Sequence, residues 1–212
     1  MNTEFNKIER RTVRYWFEDG IYETALGLFL LLLGLFFLGY ALVREGSTLF
    51  YLLSIGVLPV FFLGFWGTKR MVRSLKQKLT YPRTGYVSYR KPEAKRPRRR
   101  ALLIGGMAGI AGALWGLALS SGRTGFNLMP GLTGLAFAGV LGFLALRSGL
   151  GRTVVLAVLS AAAGAFLAFS GWPKMLGLAS FYLFLGLSLA ISGGLACLLY
   201  LRRNPPPDEA SR

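Results

Sequence analysis

The stretch Thr68–Arg100, set between two long apolar regions, constrains this chain more than any other feature. It holds thirteen Lys or Arg and a single acid, Glu93. On either side charge is scarce. A soluble domain spreads charge over its surface. Here the charge is blocked between runs long enough to cross a bilayer, which is the positive-inside pattern of membrane proteins. The expected fold is an all-α integral membrane helical bundle. It has six transmembrane helices, with the basic stretch as a cytoplasmic loop between helices 2 and 3.

About twenty helical residues cover the ~30 Å of a hydrocarbon core. Runs of that size set the expected organisation. Residues 1–20 form a cytoplasmic amphipathic segment, and 21–67 a hairpin with spans at 21–43 and 49–67. The basic loop takes 68–100. A four-helix region, 101–201, has spans at 101–120, 128–146, 153–170 and 175–201. The tail is 202–212. Residues 1–20 are polar, so the first run is expected to be an uncleaved membrane helix rather than a signal peptide. Counting Lys and Arg on alternate sides puts both termini in the cytoplasm.

The net charge is +16, a value that in a soluble chain suggests nucleic acid. No recognised binding fold fits in this loop, so no nucleic-acid partner is expected. The expected partners are anionic lipid head groups at the cytoplasmic face, with a protein partner or a second copy as further candidates. Polybasic segments attract anionic leaflets by about 1 kcal/mol per Lys or Arg near the surface.

Chemistry needs placed acids, bases, nucleophiles or metals. Histidine is absent, and Cys197 is the sole cysteine. No cluster has metal-ligand spacing, so no catalytic residue, metal or cofactor is expected, and no enzyme. Serines within the spans are expected to bond a carbonyl one turn back or on a neighbouring helix. Glu18, Asp19 and Glu23 crowd the start of the first span. Three carboxylates in one turn suit either a cation or proton site or capping of the first free amides, and capping is expected, because no intramembrane acid follows them. Pro59 lies mid-span in the second helix, where its ring removes one backbone bond.

The loop has two parts. Thr68–Leu79 carries Met71, Val72, Leu75 and Leu79 on one helical face, as a surface helix or an extension of the second span. Tyr81-Pro82-Arg83-Thr84-Gly85-Tyr86-Val87 follows, with turn residues Pro82 and Gly85. This run resembles a segment of small, uncharacterised prokaryotic multispan membrane proteins. The resemblance implies a membrane location, a prokaryotic cytoplasmic membrane, and no assigned activity. Candidate contacts for lipid or partner are Tyr81, Pro82, Arg83, Gly85, Tyr86, Tyr89, Arg96, Arg98, Arg99 and Arg100.

The carboxyl half is rich in Gly and Ala. Gly105 and Gly109, then Gly112 and Gly116, sit one turn apart and are candidate helix-packing sites, because small residues let backbones approach closely in lipid. Gly134, Gly139, Gly142, Gly164, Gly186, Gly193 and Gly194 continue the pattern. The last four helices are therefore expected to form the tight bundle, with the bulky first two facing lipid. The functional expectation is a scaffold or regulatory membrane component whose loop contacts anionic lipid or a partner. The alternative is a small permease, or a transporter subunit, for an uncharged or lipid-like substrate.

Overall fold

A computed structural model describes residues 17–81 and 128–205. Among these, five helices are long and apolar enough to cross a membrane. They are α1 (Ile21–Leu42), α2 (Thr48–Leu75), α3 (Leu128–Ser148), α4 (Gly151–Phe169) and α5 (Lys174–Arg203). The described fold is thus all-α and multispan. The expected third span, 101–120, lies outside the described residues.

Local chemistry sets the helix ends. Ser47 caps α2, its Oγ accepting from the Phe50 amide at 3.2 Å. Gly20 precedes α1 with φ 67°, a left-handed conformation, and its Cα lies against the α5 backbone at Gly193 and Cys197. A side chain there meets both strain and collision. Pro130 lies in the first turn of α3, where its missing amide costs nothing.

The second span does not stop at Gly67. The helix runs through Pro59 and on to Leu75, then continues as a π-helical stretch, Lys76–Thr80, in which the Tyr81 amide donates to the Lys76 carbonyl. The whole rod is 33 residues. That is about 50 Å, well beyond a hydrocarbon core. Of the two alternatives for Thr68–Leu79, the structure takes the extension.

The core joins α1 to α5. Leu30, Leu33 and Phe37 of α1 are buried with Leu178, Phe181, Leu185 and Leu189 of α5. Phe37 stacks on Tyr182 at 5.5 Å between ring centroids. In lipid, apolar burial gives little drive, so close backbone approach must hold the pair. Glycines permit it. A Cβ at Gly34 would lie 2.8 Å from the Leu183 nitrogen, and one at Gly186 would lie 2.7 Å from that of Leu31.

This corrects the expectation that the last four helices alone make the tight bundle. The first span is central. Its bulky run hid two interface glycines, Gly27 and Gly34, beside the leucines. Only α2 fits the lipid-exposed reading, with Leu52, Ile55, Phe62 and Trp66 all exposed.

The second close pair is α3 with α4. Gly134 meets Gly164, where an added Cβ would lie 2.7 Å from the facing Cα, and Ser160 Oγ donates to the Gly134 carbonyl at 3.0 Å. Ser54 and Ser188 instead bond carbonyls one turn back, those of Phe50 and Phe184. Among the described residues nothing stands within 4 Å of a Cβ added at Gly139, Gly142 or Gly194, so glycine content alone did not mark the interfaces.

Helix direction follows from these contacts. Arg152, at the start of α4, reaches Glu23 near the start of α1. Antiparallel packing of α3 on α4 then puts Leu128 beside Phe169, at the far end of the bundle. Thr80, at the end of α2, touches Asp19. Tyr81 and Leu128 therefore stand at opposite ends.

Candidate functional site at the basic end of the bundle

The amino end of α1, the carboxyl ends of α2, α3 and α5, and the start of α4 meet at one end of the bundle. Lys69, Arg70, Arg73, Lys76, Lys78, Arg147, Arg152, Arg202 and Arg203 lie there. The opposite end carries Arg44 and Lys174.

Two ion pairs, one buried and one half-buried, organise the basic end. Lys76 Nζ lies 2.9 Å from Asp19 Oδ2, with both side chains buried. Thr80 Oγ1 donates to the same oxygen at 3.3 Å, and the Ile21 amide donates to Oδ1 at 3.2 Å. Asp19 therefore caps α1, as expected, and also anchors the end of α2. The π-helical stretch coincides with this contact, since Lys76 opens it and Thr80 closes it. π-turns are rare and frequent at functional sites.

The second pair ties α4 to α1. Arg152 Nε donates to Glu23 Oε1 at 3.0 Å. Its terminal nitrogens donate to the carbonyls of Phe17 and Glu18. One guanidinium thus holds a carboxylate and two carbonyls in the turn before α1, a use of the planar fork that Lys cannot copy. Glu23 Oε2 is buried without a hydrogen bond among the described residues; Ser192 of α5 stands beside the carboxylate, outside bonding geometry.

Beside the Asp19–Lys76 pair lies an amphipathic groove of about 790 Å³ between α1 and α2. Its apolar wall comes from Leu26 and Phe29 of α1 and Phe65 of α2, its basic wall from Lys69 and Arg73. Lys69 Nζ sits 4.1 Å from the Phe65 ring centroid. Tyr81 lines the same groove.

Tyr81 is the one candidate contact within the described residues. Pro82, Arg83, Gly85, Tyr86, Tyr89, Arg96, Arg98, Arg99 and Arg100 lie outside them, as do Gly105, Gly109, Gly112 and Gly116. Sequence reasoning missed the partners Lys76 and Arg152. A signal for Lys76 was present: it stands one helical turn from Val72 and another from Thr80, so it shares their buried face. Arg152 had no comparable signal, because its partners lie across the chain. Among the described residues no group of His, Cys, Asp and Glu is arranged to hold a metal.

The helices and their hydropathy define an integral, multi-pass helical membrane protein. No family model matches the chain, and neither a curated protein nor a solved structure matches it.

Proposed function

We propose that the protein is a six-span scaffold or regulatory component of a prokaryotic cytoplasmic membrane. Its basic end faces the cytoplasm and presents the loop 68–100 to anionic head groups or a partner protein. The observation that carries this reading is the gathering of ionic groups at one end, where two ion pairs, Lys76–Asp19 and Arg152–Glu23, fix the helix termini. Ionisable residues near the midplane mark many ion-coupled transporters. Apart from the basic run that starts at Lys69 near the end of α2, the described helices have no Asp, Glu, Lys or Arg between their terminal turns, which favours a fixed platform over ion-coupled transport.

Helix direction supports six crossings. The end of α2 and the start of α3 stand at opposite ends of the described bundle, and the apolar run 101–120 is of spanning length, which favours one further crossing between them. The excess of Lys and Arg at one end supports its cytoplasmic orientation.

Limited proteolysis in vesicles of both orientations tests the platform role. Tyr86→Ser with Tyr89→Ser retains every positive charge, so insertion should stay normal while the loop is cleaved faster or loses a co-purifying partner. Cleavage and partners identical to wild type would reduce the loop to a topological anchor.

A further inference from the structure

We propose that the groove between α1 and α2 binds one anionic glycerophospholipid from the surrounding leaflet. Its phosphate rests on Lys69 and Arg73, and part of an acyl chain lies along Leu26, Phe29 and Phe65. This deepens the reading above and rests on it in taking the basic end to lie at head-group level.

Three observations converge. First, Lys69 and Arg73 are four residues apart on α2 and so project from one face, a turn apart. No carboxylate among the described residues pairs with either of them, whereas Lys76, one turn on from Arg73, is held by Asp19. Second, the groove they border is lined with apolar and aromatic side chains on both helices and has a volume of about 790 Å³. That is within the range of small-molecule sites, enough for a head group and part of a chain. Third, the order along α2 matches membrane depth. Phe65 is the last aromatic wall residue before the charges, and Arg73 stands about 12 Å further along the axis. Long cationic side chains at such a boundary keep their stems on apolar surface and their charge at the interface.

Charge and shape together choose the ligand class. A compact polyanion leaves Phe29 and Phe65 unmatched. A neutral hydrocarbon leaves two cations without counter-charge. An anionic amphiphile matches both walls, and the leaflet is its source.

Native mass spectrometry of the full chain in detergent, supplied with equal phosphatidylglycerol and phosphatidylcholine, tests the proposal. Wild type should retain one phosphatidylglycerol where phosphatidylcholine is lost. Lys69→Gln with Arg73→Gln should weaken retention about thirtyfold, as expected for two interfacial charges. Lys69→Arg with Arg73→Lys should restore it. Arg202→Gln with Arg203→Gln removes the same charge from the same end and should leave it unchanged. Equal retention of both lipids by wild type, or equal losses from the two Gln pairs, would overturn the site.

A second measurement needs no variant. Phosphatidylglycerol with a photoreactive acyl chain should label wild-type peptides containing Leu26, Phe29 and Phe65. Absence of label there, as when another segment of this chain or a second copy fills the groove, also overturns it. Both readouts are independent of orientation in the cell. An external signal from the loop would therefore sink the platform reading, and failed retention would sink only the lipid site.

Discussion

Lys76 Nζ and Asp19 Oδ2 lie 2.9 Å apart in a buried ion pair that joins the end of α2 to the start of α1. Taking two charges out of water is expensive, and the attraction returns this only when the remaining bonds are made. Here Thr80 and the Ile21 amide complete the carboxylate.

Removing one partner should leave the other charge buried and alone. Lys76→Met or Asp19→Asn should each cost about 3–5 kcal/mol. The double variant should recover much of that, because no orphan charge remains. Denaturant unfolding in detergent micelles, run as a double-mutant cycle, measures the coupling. Additive losses would mean that the two residues act separately.

Arg152→Lys should not substitute for Arg152. A lysine can meet Glu23, but it has no fork to reach the carbonyls of Phe17 and Glu18 at the same time. We expect most of the loss of Arg152→Gln to persist, with faster proteolysis ahead of Phe17. Full recovery by Lys would show that only charge matters.

Gly186→Leu should separate α1 from α5, because the added side chain meets the Leu31 backbone. Gly139→Leu enters open space and should leave the yield of folded protein unchanged. The same logic applies outside the described residues. Gly109→Leu should lower yield more than Leu35→Ala, whose side chain is 61% exposed. Size-exclusion profiles in mild detergent report all four. Equal losses from Gly186→Leu and Gly139→Leu would contradict the close-packing account.

Much of the fold was legible because a bilayer imposes length. Four of the five described helices start and stop within two residues of the expected spans, since twenty apolar residues bounded by polar turns leave little choice. The exception is α2, whose apolar face continues past Gly67 through Met71, Val72 and Leu75. Helix neighbours were less legible. Glycine counts favoured the carboxyl half, but what decides packing is which face each glycine occupies. Gly27 and Gly34 stand within a leucine-rich run that conceals them, whereas Gly139, Gly142 and Gly194 face no helix among the described residues. The ion pairs were the least legible. Asp19 read correctly as a cap, but its tie to Thr80 spans 61 positions, and that to Lys76 likewise depends on tertiary packing.

The orientation of the basic end is the central claim, and reporter fusions test it most directly. Fusions at Ser47, Glu93, Gly125 and the carboxyl end sample both faces on either side of the expected third span. The account predicts cytoplasmic signals at Glu93 and the carboxyl end, with external signals at Ser47 and Gly125. An external signal at Glu93, or the same side for Glu93 and Gly125, would contradict it.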